Sequence, residues 1–486
     1  ISGNTASQEG GGVFIYNSDP SFVNVTISGN LSSTSEGDGI FIKNNSSPNL
    51  VNTILWGNAS NEIEFASVDD SSSITISYSN IEGGQDSIVT NDNGTVTWGD
   101  GNVDIDPLFV DVDNDDYHLL ASSQCINGGD PNSTDSDGTI ADIGAYPYLN
   151  NYSGPTWYIN ESGNDTTATG ASDDPFRSVQ AGINFSSDDD SVTVAAGTYV
   201  ENINFRGRNI KVVGENRETT TIDGDSSGSV VTFENGEDST VVLSGFTITN
   251  GSSYEGSGIK LQYLSSPTLS NLIISNNTSV EGGGIRCTVF CHPIIENVII
   301  TGNLASSSGG GISCWGGSNP TLTNVTITGN TASTNYGGGL YCNNSSPTLK
   351  NVTITNNTAN KFGAGIYCYD TSNPTLENVT ITGNTALENG GGLYLDINSN
   401  VNVLNTILWD NGPQEIYLTG ASDTITVAYS DVQGGQDSLI TNGGSVNWGE
   451  GNIDVDPMFT DTANEDYSLT ADSRLIDAGH PDSTDP

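Results

Sequence analysis

The sequence predicts an all-β protein built as a parallel β-solenoid, with coils of 26–28 residues and a short N-terminal capping helix. Two observations predict it. A glycine-rich marker recurs once per coil, and a Pro-Thr-Leu to Val-Thr-Ile signature lies between successive markers. The third glycines of the markers, separated by 26, 27, 28, 26 and 27 residues, are Gly258, Gly284, Gly311, Gly339, Gly365 and Gly392. This period is typical of stacked short units, each of which needs its neighbours to form a core.

Each unit contains short strands separated by turns. In residues 319–332, Leu322, Val325 and Ile327 are apolar positions among β-branched threonines, and residues 329–331 (Gly-Asn-Thr) end the strand. Because one unit cannot bury its apolar side alone, neighbouring coils must stack at the spacing of about 4.8 Å found in any sheet. The general preference for right-handed parallel crossovers favours a right-handed coil.

One asparagine occupies the same position in successive coils. The row consists of Asn271, Asn297, Asn324, Asn351, Asn378 and Asn405. Two interpretations stay open, and neither is catalytic. The amides could hydrogen-bond from coil to coil as a ladder. Alternatively, the position is a turn at which asparagine tolerates an unusual backbone dihedral.

Four cysteines fall two residues after the marker Ile or Leu, at a position that Leu261 and Leu395 occupy in flanking coils. They are Cys287, Cys314, Cys342 and Cys368. A position shared with leucine points into the core. These cysteines are therefore either buried small hydrophobic residues or axial disulfides between adjacent coils. Cys125 aligns with Leu475 and is also expected in the core.

A larger repeat relates residues 1–136 to residues 354–486. For example, residues 52–56 recur as 405–409, and residues 101–107 recur as 451–457. We therefore expect the sequence to be a window from a tandem array of modules of roughly 350 residues. Residues 1–103 would be the last coils of one module, 104–153 an Asp-rich closing segment and linker, 154–450 a second module with its N-terminal cap, and 451–486 the start of a second closing segment.

The second module opens with an expected strand at residues 157–159 and a short helix over residues 174–183. Asp174 suits the N-cap, Pro175 suits the first helical position, and Phe176, Val179 and Ile183 share one face. The helix is expected to cover the open end of the solenoid, whose exposed strands would otherwise recruit other chains. Residues 192–194, 210–213 and 241–243 follow as strands of the early coils.

These motifs carry a family resemblance. The Gly-Gly-Gly-Ile marker with Leu-x-Asn-Val-Thr-Ile resembles the repeats of right-handed β-helix proteins, particularly those of the polymorphic outer-membrane protein type. Residues 106–119 and 137–147 are similar to the terminal segment of large secreted microbial β-helix proteins. Residues 174–176 and 194–199 are similar to the first coils of pectin-lyase-like β-helices. The resemblance implies the fold but not one function, because this fold hosts lyases, esterases, adhesins and passenger domains alike.

Charge narrows the function classes. The chain has 59 acidic and 11 basic residues and a net charge of -48, so it lacks the Lys and Arg clusters that nucleic-acid binding needs. Anionic membranes are disfavoured for the same reason, and no apolar run approaches the length of a membrane-spanning helix.

Lyases and hydrolases of this fold need a base or a close carboxylate pair. The one dense candidate is Arg286, Cys287, Cys291 and His292, and Cys-x-x-x-Cys-His without a second pair is a weak zinc signal. We therefore expect no enzyme activity.

The Asp-rich closing segment holds the candidate ligands for calcium, the one cofactor that the sequence suggests. They are Asp111, Asp113, Asp115, Asp135 and Asp137. This density of oxygen donors suits Ca²⁺, and the alternative is a solvated acidic linker.

Asn-x-Ser/Thr sequons give candidate glycosylation sites at Asn30, Asn58, Asn160, Asn164, Asn250 and Asn277. Sequons that belong to the repeat itself, such as that of Asn324, are expected to be buried.

The function that these observations favour is an extracellular structural or adhesive solenoid at the cell surface. It would form a fibre, sheath or filament by self-association or by head-to-tail modules, with glycans as candidate partners and without nucleic acid or direct membrane insertion. The alternative is a secreted carbohydrate-active enzyme or a glycan-binding adhesin passenger.

Overall fold

The structure, a computed structural model, describes residues 1–67 and 71–483. The chain divides into two compact units, Ile1–Ser186 and Ser187–Pro486. Short parallel strands dominate both units, and the described residues contain one α-helix. The predicted all-β parallel solenoid is therefore confirmed.

In the second unit, successive coils stack into three long parallel sheets, and the chain passes through the first, second and third sheet in turn. The first sheet consists of Ser191–Val194, Lys211–Gly214, Val242–Ser244, Thr268–Ser270, Ile294–Glu296, Thr321–Thr323, Thr348–Lys350, Thr375–Glu377, Asn400–Leu404, Thr424–Ala428 and Ser445–Trp448. The second consists of Gly197–Val200, Thr220–Asp223, Thr247–Thr249, Ile273–Ser275, Ile299–Thr301, Thr326–Thr328, Thr353–Thr355, Thr380–Thr382, Ile407–Trp409 and Asp431–Val432. The third consists of Ile203–Asn204, Val231–Phe233, Ile259–Leu261, Ile285–Thr288, Ile312–Trp315, Leu340–Asn343, Ile366–Tyr369, Leu393–Leu395 and Ile416–Leu418.

A fourth, shorter parallel sheet follows the second sheet in the middle coils of this unit. Its strands are Ser252–Glu255, Thr278–Glu281, Leu304–Ser308, Thr331–Ala332, Thr358–Ala359 and Thr385–Ala386. The closing segment of the unit contains the 3-10 helices Gln436–Ser438 and Thr462–Asn464 and an antiparallel hairpin of Phe459–Asp461 and Asp466–Leu469.

The register of the third sheet sets the coil length. Ile285 pairs with Ile312, which pairs with Leu340, and the row continues through Ile366 and Leu393. The predicted coil length of 26–28 residues is therefore confirmed. Each of these five side chains is fully buried, because alternate positions of a strand face the core and the others face outward.

The first unit contains shorter versions of the same sheets. Its first sheet consists of Ser21–Val23, Asn49–Val51, Ser73–Ser77 and Thr95–Trp98, its second of Thr26–Ser28, Ile54–Trp56 and Asn80–Ile81, its third of Val13–Tyr16, Ile40–Lys43 and Ile63–Phe65, and its fourth of Thr5–Ala6 and Leu31–Ser32. After the coils come the 3-10 helices Gln85–Ser87 and Val112–Asn114, a hairpin of Phe109–Asp111 and Asp116–Leu119, and the strand Thr156–Ile159.

The one α-helix is Val179–Phe185, and it begins later than predicted. Its N-cap is Ser178, whose side chain accepts a hydrogen bond from the backbone N–H of Ala181. The predicted N-cap, Asp174, instead accepts hydrogen bonds from the N–H and hydroxyl of Thr169. The prediction of Asp174 as N-cap was wrong because this carboxylate closes the preceding turn. Whether the helix covers the end of a solenoid stays a prediction.

The predicted asparagine row has both of the predicted properties, since its amides form contacts between coils and its residues have an unusual backbone dihedral. We call it the outer asparagine row: Asn271, Asn297, Asn324, Asn351, Asn378 and Asn405, whose φ angles are 49° to 56°. The Asn324 Nδ2 donates to Asn297 Oδ1 at 3.3 Å, and Asn351 Nδ2 donates to Asn324 Oδ1 at 3.2 Å. Asn324 is exposed, so the expectation that its sequon is buried was wrong. It lies in the turn between Thr321–Thr323 of the first sheet and Thr326–Thr328 of the second.

A second row of asparagines was not predicted, and it lies in the core. We call it the inner asparagine row: Asn277, Asn303, Asn330, Asn357, Asn384 and Asn411. The Asn330 Oδ1 accepts from both the backbone N–H and the Nδ2 of Asn303 at 3.0 Å, and Asn330 makes the same pair of contacts to Asn357. The row ends at Glu415, whose carboxylate accepts from the N–H and the Nδ2 of Asn411 at 2.9 and 2.6 Å.

The first unit has an equivalent inner row. Asn4, Asn30 and Asn58 are connected in the same way, and Glu62 ends the row by accepting two hydrogen bonds from Asn58. Both units therefore use a buried carboxyl group to satisfy the last amide of the row.

Candidate functional site

Aromatic side chains cluster on the outer side of the third sheet in the second unit. We call this cluster the aromatic face: Trp315, Tyr336, Tyr341, Phe362, Tyr367, Tyr369, Tyr394 and Tyr417. The parallel register of the third sheet places Tyr341, Tyr367, Tyr394 and Tyr417 in one column. The repeat thus turns one aromatic residue per coil into a continuous column of rings.

The rings of this column stack face to face. Ring centroids of Tyr341 and Tyr367 lie 5.5 Å apart, and those of Tyr367 and Tyr394 and of Tyr394 and Tyr417 lie 5.1 Å apart. The interplanar angles are 12°, 10° and 3°. The separation is close to the spacing between strands, because each ring follows its own strand.

A second, parallel line of rings comes from the turns beside the third sheet. Tyr336 and Phe362 stack at 5.6 Å, and each also contacts the main column, Tyr336 at Tyr367 (4.8 Å) and Phe362 at Tyr394 (4.7 Å). Trp315, Tyr336, Phe362, Tyr369 and Tyr417 are only partly buried. The aromatic face therefore presents ring surface to solvent while its central tyrosines are packed.

Polar groups border the aromatic face at one end. Tyr367 Oη donates to Asp396 Oδ2 at 3.1 Å, and Thr419 Oγ1 donates to Asp396 Oδ1 at 2.8 Å. Burial raises the pKa of Tyr341, Tyr367 and Tyr394 above the ordinary tyrosine range, so these phenols stay protonated. They offer hydroxyl donors and acceptors at neutral pH rather than charge.

At the other end lies Arg286, the centre of the dense basic candidate found in the sequence. Its guanidinium forms ion pairs with Glu281 and, at 3.2 Å, with Glu255, and it lies 5.9 Å from the Trp315 ring. Arg286 is 7% exposed. Two carboxylates offset its charge, and this buried cluster supports the position of Trp315 rather than presenting a free cation.

Cys291 and His292 do not act together. The Cys291 thiol is buried, donates to the Thr288 carbonyl at 3.0 Å, and has its pKa raised to about 12 by burial. The His292 ring is exposed and accepts through Nδ1 from the Asn319 N–H at 3.1 Å. Among residues 1–67 and 71–483, no three His, Cys, Asp or Glu side chains are grouped as metal ligands.

The sequence profile of the right handed beta helix region matches residues 1–104 and 278–455, more than half of the chain. The chain belongs to the right-handed β-helix family. This β-helix is similar in fold to the pectate lyase Pel9A, with 14% identity, a TM-score of 0.42 and coverage of 68% of this chain and 93% of that one. It is similar also to pectin methylesterase from carrot, with 12% identity, a TM-score of 0.30 and coverage of 63% and 90%. No curated protein matches the chain.

In this β-helix, the candidate calcium ligands are not brought into one group. Asp111 accepts from the backbone and side chain of Asn114, while Asp137 accepts from Thr139 and from the Asn150 N–H. Asp135 accepts from the Asp142 N–H. Asp113 and Asp115 lie with Asp111 at the exposed 3-10 helix, whereas Asp135 and Asp137 lie in a partly buried loop to which Asp142 is hydrogen-bonded. These carboxylates close turns, and calcium binding stays a prediction.

The stacked cysteines occupy the core of the β-helix as free thiols. Cys287, Cys314, Cys342 and Cys368 pair in register on adjacent coils and are fully buried. Cys125 is also buried, as expected from its alignment with leucine. Hydrogen bonding to Cys314 together with burial raises the pKa of the Cys287 thiol well above its ordinary value. Of the two interpretations of these cysteines, the structure agrees with the one in which they are buried small hydrophobic residues.

The candidate glycosylation sites fall into two groups. Asn30, Asn58 and Asn277 belong to the inner asparagine rows, and they are at most 8% exposed. Their Nδ2 atoms donate to neighbouring oxygens, so the folded chain does not present these three amides to solvent, and their glycosylation stays a prediction. The others lie on the surface and stay predictions: Asn164 and Asn250 are exposed, and Asn160 is half-buried.

The aromatic face was missed by the sequence reasoning, although its signal is present. Residues 340–342, 366–368 and 393–395 each place a tyrosine directly after the marker Leu or Ile. The next residue faces the core, as Cys342 and Cys368 show, so strand alternation places each tyrosine outward. The described helices include none long and apolar enough to cross a membrane.

Proposed function

We propose that this β-helix is an extracellular structural and adhesive protein of the cell surface, in which stacked coils supply stiffness and modules repeat in tandem as a fibre, sheath or filament. The observation that carries the proposal is the inner asparagine row of the second unit. It runs without a break from Asn277 to Asn411, and each amide is fixed by the coils on both sides.

The row supports a load-bearing function because it connects coils through buried, directional contacts. An amide in the core that loses its partner carries the full desolvation cost, so adjacent coils separate only at a large penalty. The parallel sheets add a ladder of backbone hydrogen bonds at every coil. A solenoid whose repeats interact mainly with their nearest neighbours can be lengthened by adding more of them.

A second candidate function is the binding of neutral glycans on the aromatic face. The observation that favours it is the partly exposed double line of stacked rings, bordered by Asp396 and by tyrosine hydroxyls. Sugar rings present C–H groups to the negative faces of aromatic rings and hydroxyls to neighbouring polar groups. An adhesin that holds a neutral polysaccharide along the coil axis would use these features.

The structural proposal is tested by electron microscopy of the native material and by incubation with neutral and anionic polysaccharides. We expect filaments or regular arrays and no new reducing or ultraviolet-absorbing ends. Turnover of a polysaccharide would overturn the structural proposal in favour of a carbohydrate-active enzyme. Isolated globular particles would contradict the fibre.

The glycan proposal is tested by affinity electrophoresis in gels that contain neutral polysaccharides. The variant Tyr417→Ala removes a partly exposed ring of the aromatic face. The matched control is Tyr254→Ala, because Tyr254 is 70% exposed and lies outside that cluster. We expect retardation of the native chain and of Y254A and a loss of retardation in Y417A; equal mobility of all three proteins would refute glycan binding at this face.

A further inference from the structure

The turn that follows the third sheet in the second unit has an unusual sequence in two adjacent coils. Strand register aligns this turn in four successive coils, whose residue pairs are Asn235–Gly236, Tyr263–Leu264, Val289–Phe290 and Gly316–Gly317. The Leu264 N–H donates to the Val289 carbonyl at 3.1 Å, so the two middle turns are in direct contact. Apolar residues therefore stand in these two coils where the flanking coils have Asn and Gly. We call Tyr263, Leu264, Val289 and Phe290 the turn patch.

The backbone of the turn patch does not favour the residues that form it. All four residues are left-handed, with φ angles of 52°, 69°, 62° and 60° in chain order. Glycine and asparagine adopt this conformation readily, whereas it is unfavourable for bulky residues and most of all for the β-branched Val289. The Asn and Gly of the flanking coils would suit this backbone better. The requirements of the turn therefore do not explain the four side chains.

The core of the β-helix does not explain these side chains either, because all of them are exposed. Tyr263 and Leu264 are 60% and 64% exposed, and Val289 and Phe290 are 46% and 56% exposed. The Phe290 ring lies across the backbone of the next coil, where a Cβ at Gly317 would be 2.6 Å from Phe290 Cε1. Gly317 thus leaves room for the ring, and more than half of Phe290 still faces solvent.

The turn patch has the size of an interaction surface. Its exposed fractions correspond to about 400–500 Å² of surface, given that a whole aromatic residue offers about 150–250 Å². Contiguous apolar patches of this size on soluble proteins are often functional. A contact between two such patches would bury about 900 Å², which is less than the roughly 1,200–2,000 Å² of a stable complex. A single contact is therefore expected to be weak.

Charge favours a second copy of the chain as the partner. Each copy has a net charge of -48, so two copies repel one another over most of their surfaces. The turn patch and the flanking Asn235–Gly236 and Gly316–Gly317 turns contain no charged residue. A two-fold symmetric contact places this patch against itself and keeps charged groups out of its centre. Leu264 and Val289 offer a sugar neither a ring face nor a hydrogen-bonding group, which favours a protein partner over a glycan.

We propose that the turn patch is a self-association surface, through which two copies of this β-helix bind in a two-fold symmetric contact. The contact is weak for a single pair of patches. Modules that repeat in tandem strengthen it, because each further contact between two arrays forms at a high effective concentration. The proposal rests on the fibre or sheath proposed above and names the surface that joins neighbouring fibres.

The experiment measures sedimentation velocity of the full chain at increasing protein concentration, up to about 1 mM, the effective concentration that a short tether supplies. We expect a reversible equilibrium between monomer and dimer. Added salt should shift it toward the dimer, because salt screens the repulsion between two acidic chains and leaves apolar contacts intact. Absence of the dimer over this range, or a dimer that salt dissociates, would overturn the proposal.

A double variant tests the surface itself. Val289→Asn combined with Phe290→Gly gives this turn the Asn-Gly pair that the coil of Asn235 has. Self-association should weaken about tenfold or more, since an exposed aromatic anchor is lost. The midpoint of thermal unfolding should rise at the same time, because the new residues suit the left-handed backbone. Damage to the fold would lower the midpoint instead, so the two causes of a lost dimer are separated.

Two further variants complete the test. Tyr263→Asn combined with Leu264→Gly changes the other coil of the patch and should weaken the dimer in the same way. The matched control Leu387→Asn should leave the dimer unchanged, because Leu387 is an exposed leucine (73%) outside the turn patch. A dimer that both double variants leave intact would show that another surface forms it and would overturn the proposal.

The affinity gels with neutral polysaccharides address the other occupant. Retardation that V289N/F290G abolishes, in a chain that does not self-associate, would overturn the proposal in favour of a glycan site. Failure of this contact is distinguishable from failure of the proposed function. Filaments of head-to-tail modules form without the turn patch, and only their lateral bundling depends on it.

Discussion

The inner and outer asparagine rows use the same residue once per coil for two different physical reasons. In the inner row Asn330 is fully buried, and its side chain connects three coils through amide contacts and the Ile300 carbonyl. In the outer row Asn324 is exposed, and its single amide contacts of 3.2–3.3 Å accompany a φ of 55°. The inner residue is fixed by its hydrogen bonds and the outer residue by its backbone dihedral.

This difference shows that a periodic polar residue in a solenoid cannot be assigned from its period alone. The two rows differ in how the rest of the coil packs around each asparagine. The marker glycine Gly311 lies against the inner row, where a Cβ would be 2.6 Å from the Gly339 carbonyl oxygen and 3.3 Å from Asn330 Nδ2. The glycine marker and the inner row are thus two parts of one packing arrangement.

The largest effect should come from breaking the inner row. Asn330→Leu has nearly the same volume but removes the oxygen that accepts from the Asn303 backbone N–H and Nδ2 and the amide that donates to Asn357 Oδ1 and the Ile300 carbonyl. We expect a loss of about 3–5 kcal/mol in the free energy of opening of the coils around it. Native-state hydrogen exchange of Thr326–Thr328 measures this loss, and a change below about 1 kcal/mol, the size expected for an ordinary surface substitution, would contradict the role of the row.

The second effect concerns the carboxyl group that ends the row. Burial, which outweighs the two donors from Asn411, raises the pKa of Glu415 to about 7 from 4.5. The folded chain therefore favours the protonated group. Its contribution to stability is complete below the unfolded pKa and is lost as the pH rises from 4.5 through about 7. One pKa unit corresponds to about 1.4 kcal/mol, so the loss is of order 3 kcal/mol.

The variant Glu415→Gln isolates this contribution. Glutamine imitates the neutral acid, so we expect urea unfolding of the second unit to lose this component of its pH dependence. A pH slope equal to that of the native chain would show that Glu415 does not titrate in this range.

The first unit supplies a natural comparison. Burial raises the pKa of Glu62 to about 8, with an added contribution from Glu82, whose counterpart is Gln433. Glu82→Gln should therefore lower the pKa of Glu62.

The third effect tests the contact between the marker glycine and the inner row. In Gly311→Ala the new methyl group meets the Gly339 carbonyl, so adjacent coils must shift, at a cost of about 1–3 kcal/mol. Gly420→Ala is the matched control, because a Cβ at Gly420 has no atom within 4 Å. Thermal unfolding should separate the two variants, and equal midpoints would show that the marker does not restrict coil spacing.

The fold and the outer surface were predictable from the sequence to different degrees. Strand register followed directly from the repeat, because Cys314 and Leu322 could be assigned to the core from the residues that replace them in other coils. The inner row was hidden because Asn330 lies in a Gly-Asn-Thr stretch that also suits a turn. The constant sequence spacing between Asn330 and Asn324 and their equivalents was visible. However, burial of an asparagine depends on a partner in the next coil, which the local sequence does not show.

The candidate site illustrates the same limit. The position of Tyr367 outside the core follows from strand alternation, yet its stacking against Tyr336 depends on how the turn before the third sheet folds back. The expected calcium ligands failed to converge for a related reason. A run of Asp residues with similar spacing serves as readily for turn closure, as Asp137 does with Asn150, as for metal binding. Residue type alone does not distinguish these uses.

The smallest effect, and the one that separates the two rows most cleanly, should come from the outer row. Asn324→Gly keeps the left-handed dihedral and removes two exposed amide contacts, so we expect almost no change in the free energy of opening. Asn324→Ala keeps neither and should cost about 1 kcal/mol, because a left-handed backbone is unfavourable for alanine. Hydrogen exchange of the same strand that is used for N330L measures both variants. If N324G were as costly as N324A, the exposed ladder rather than the dihedral would be the reason for asparagine at this position.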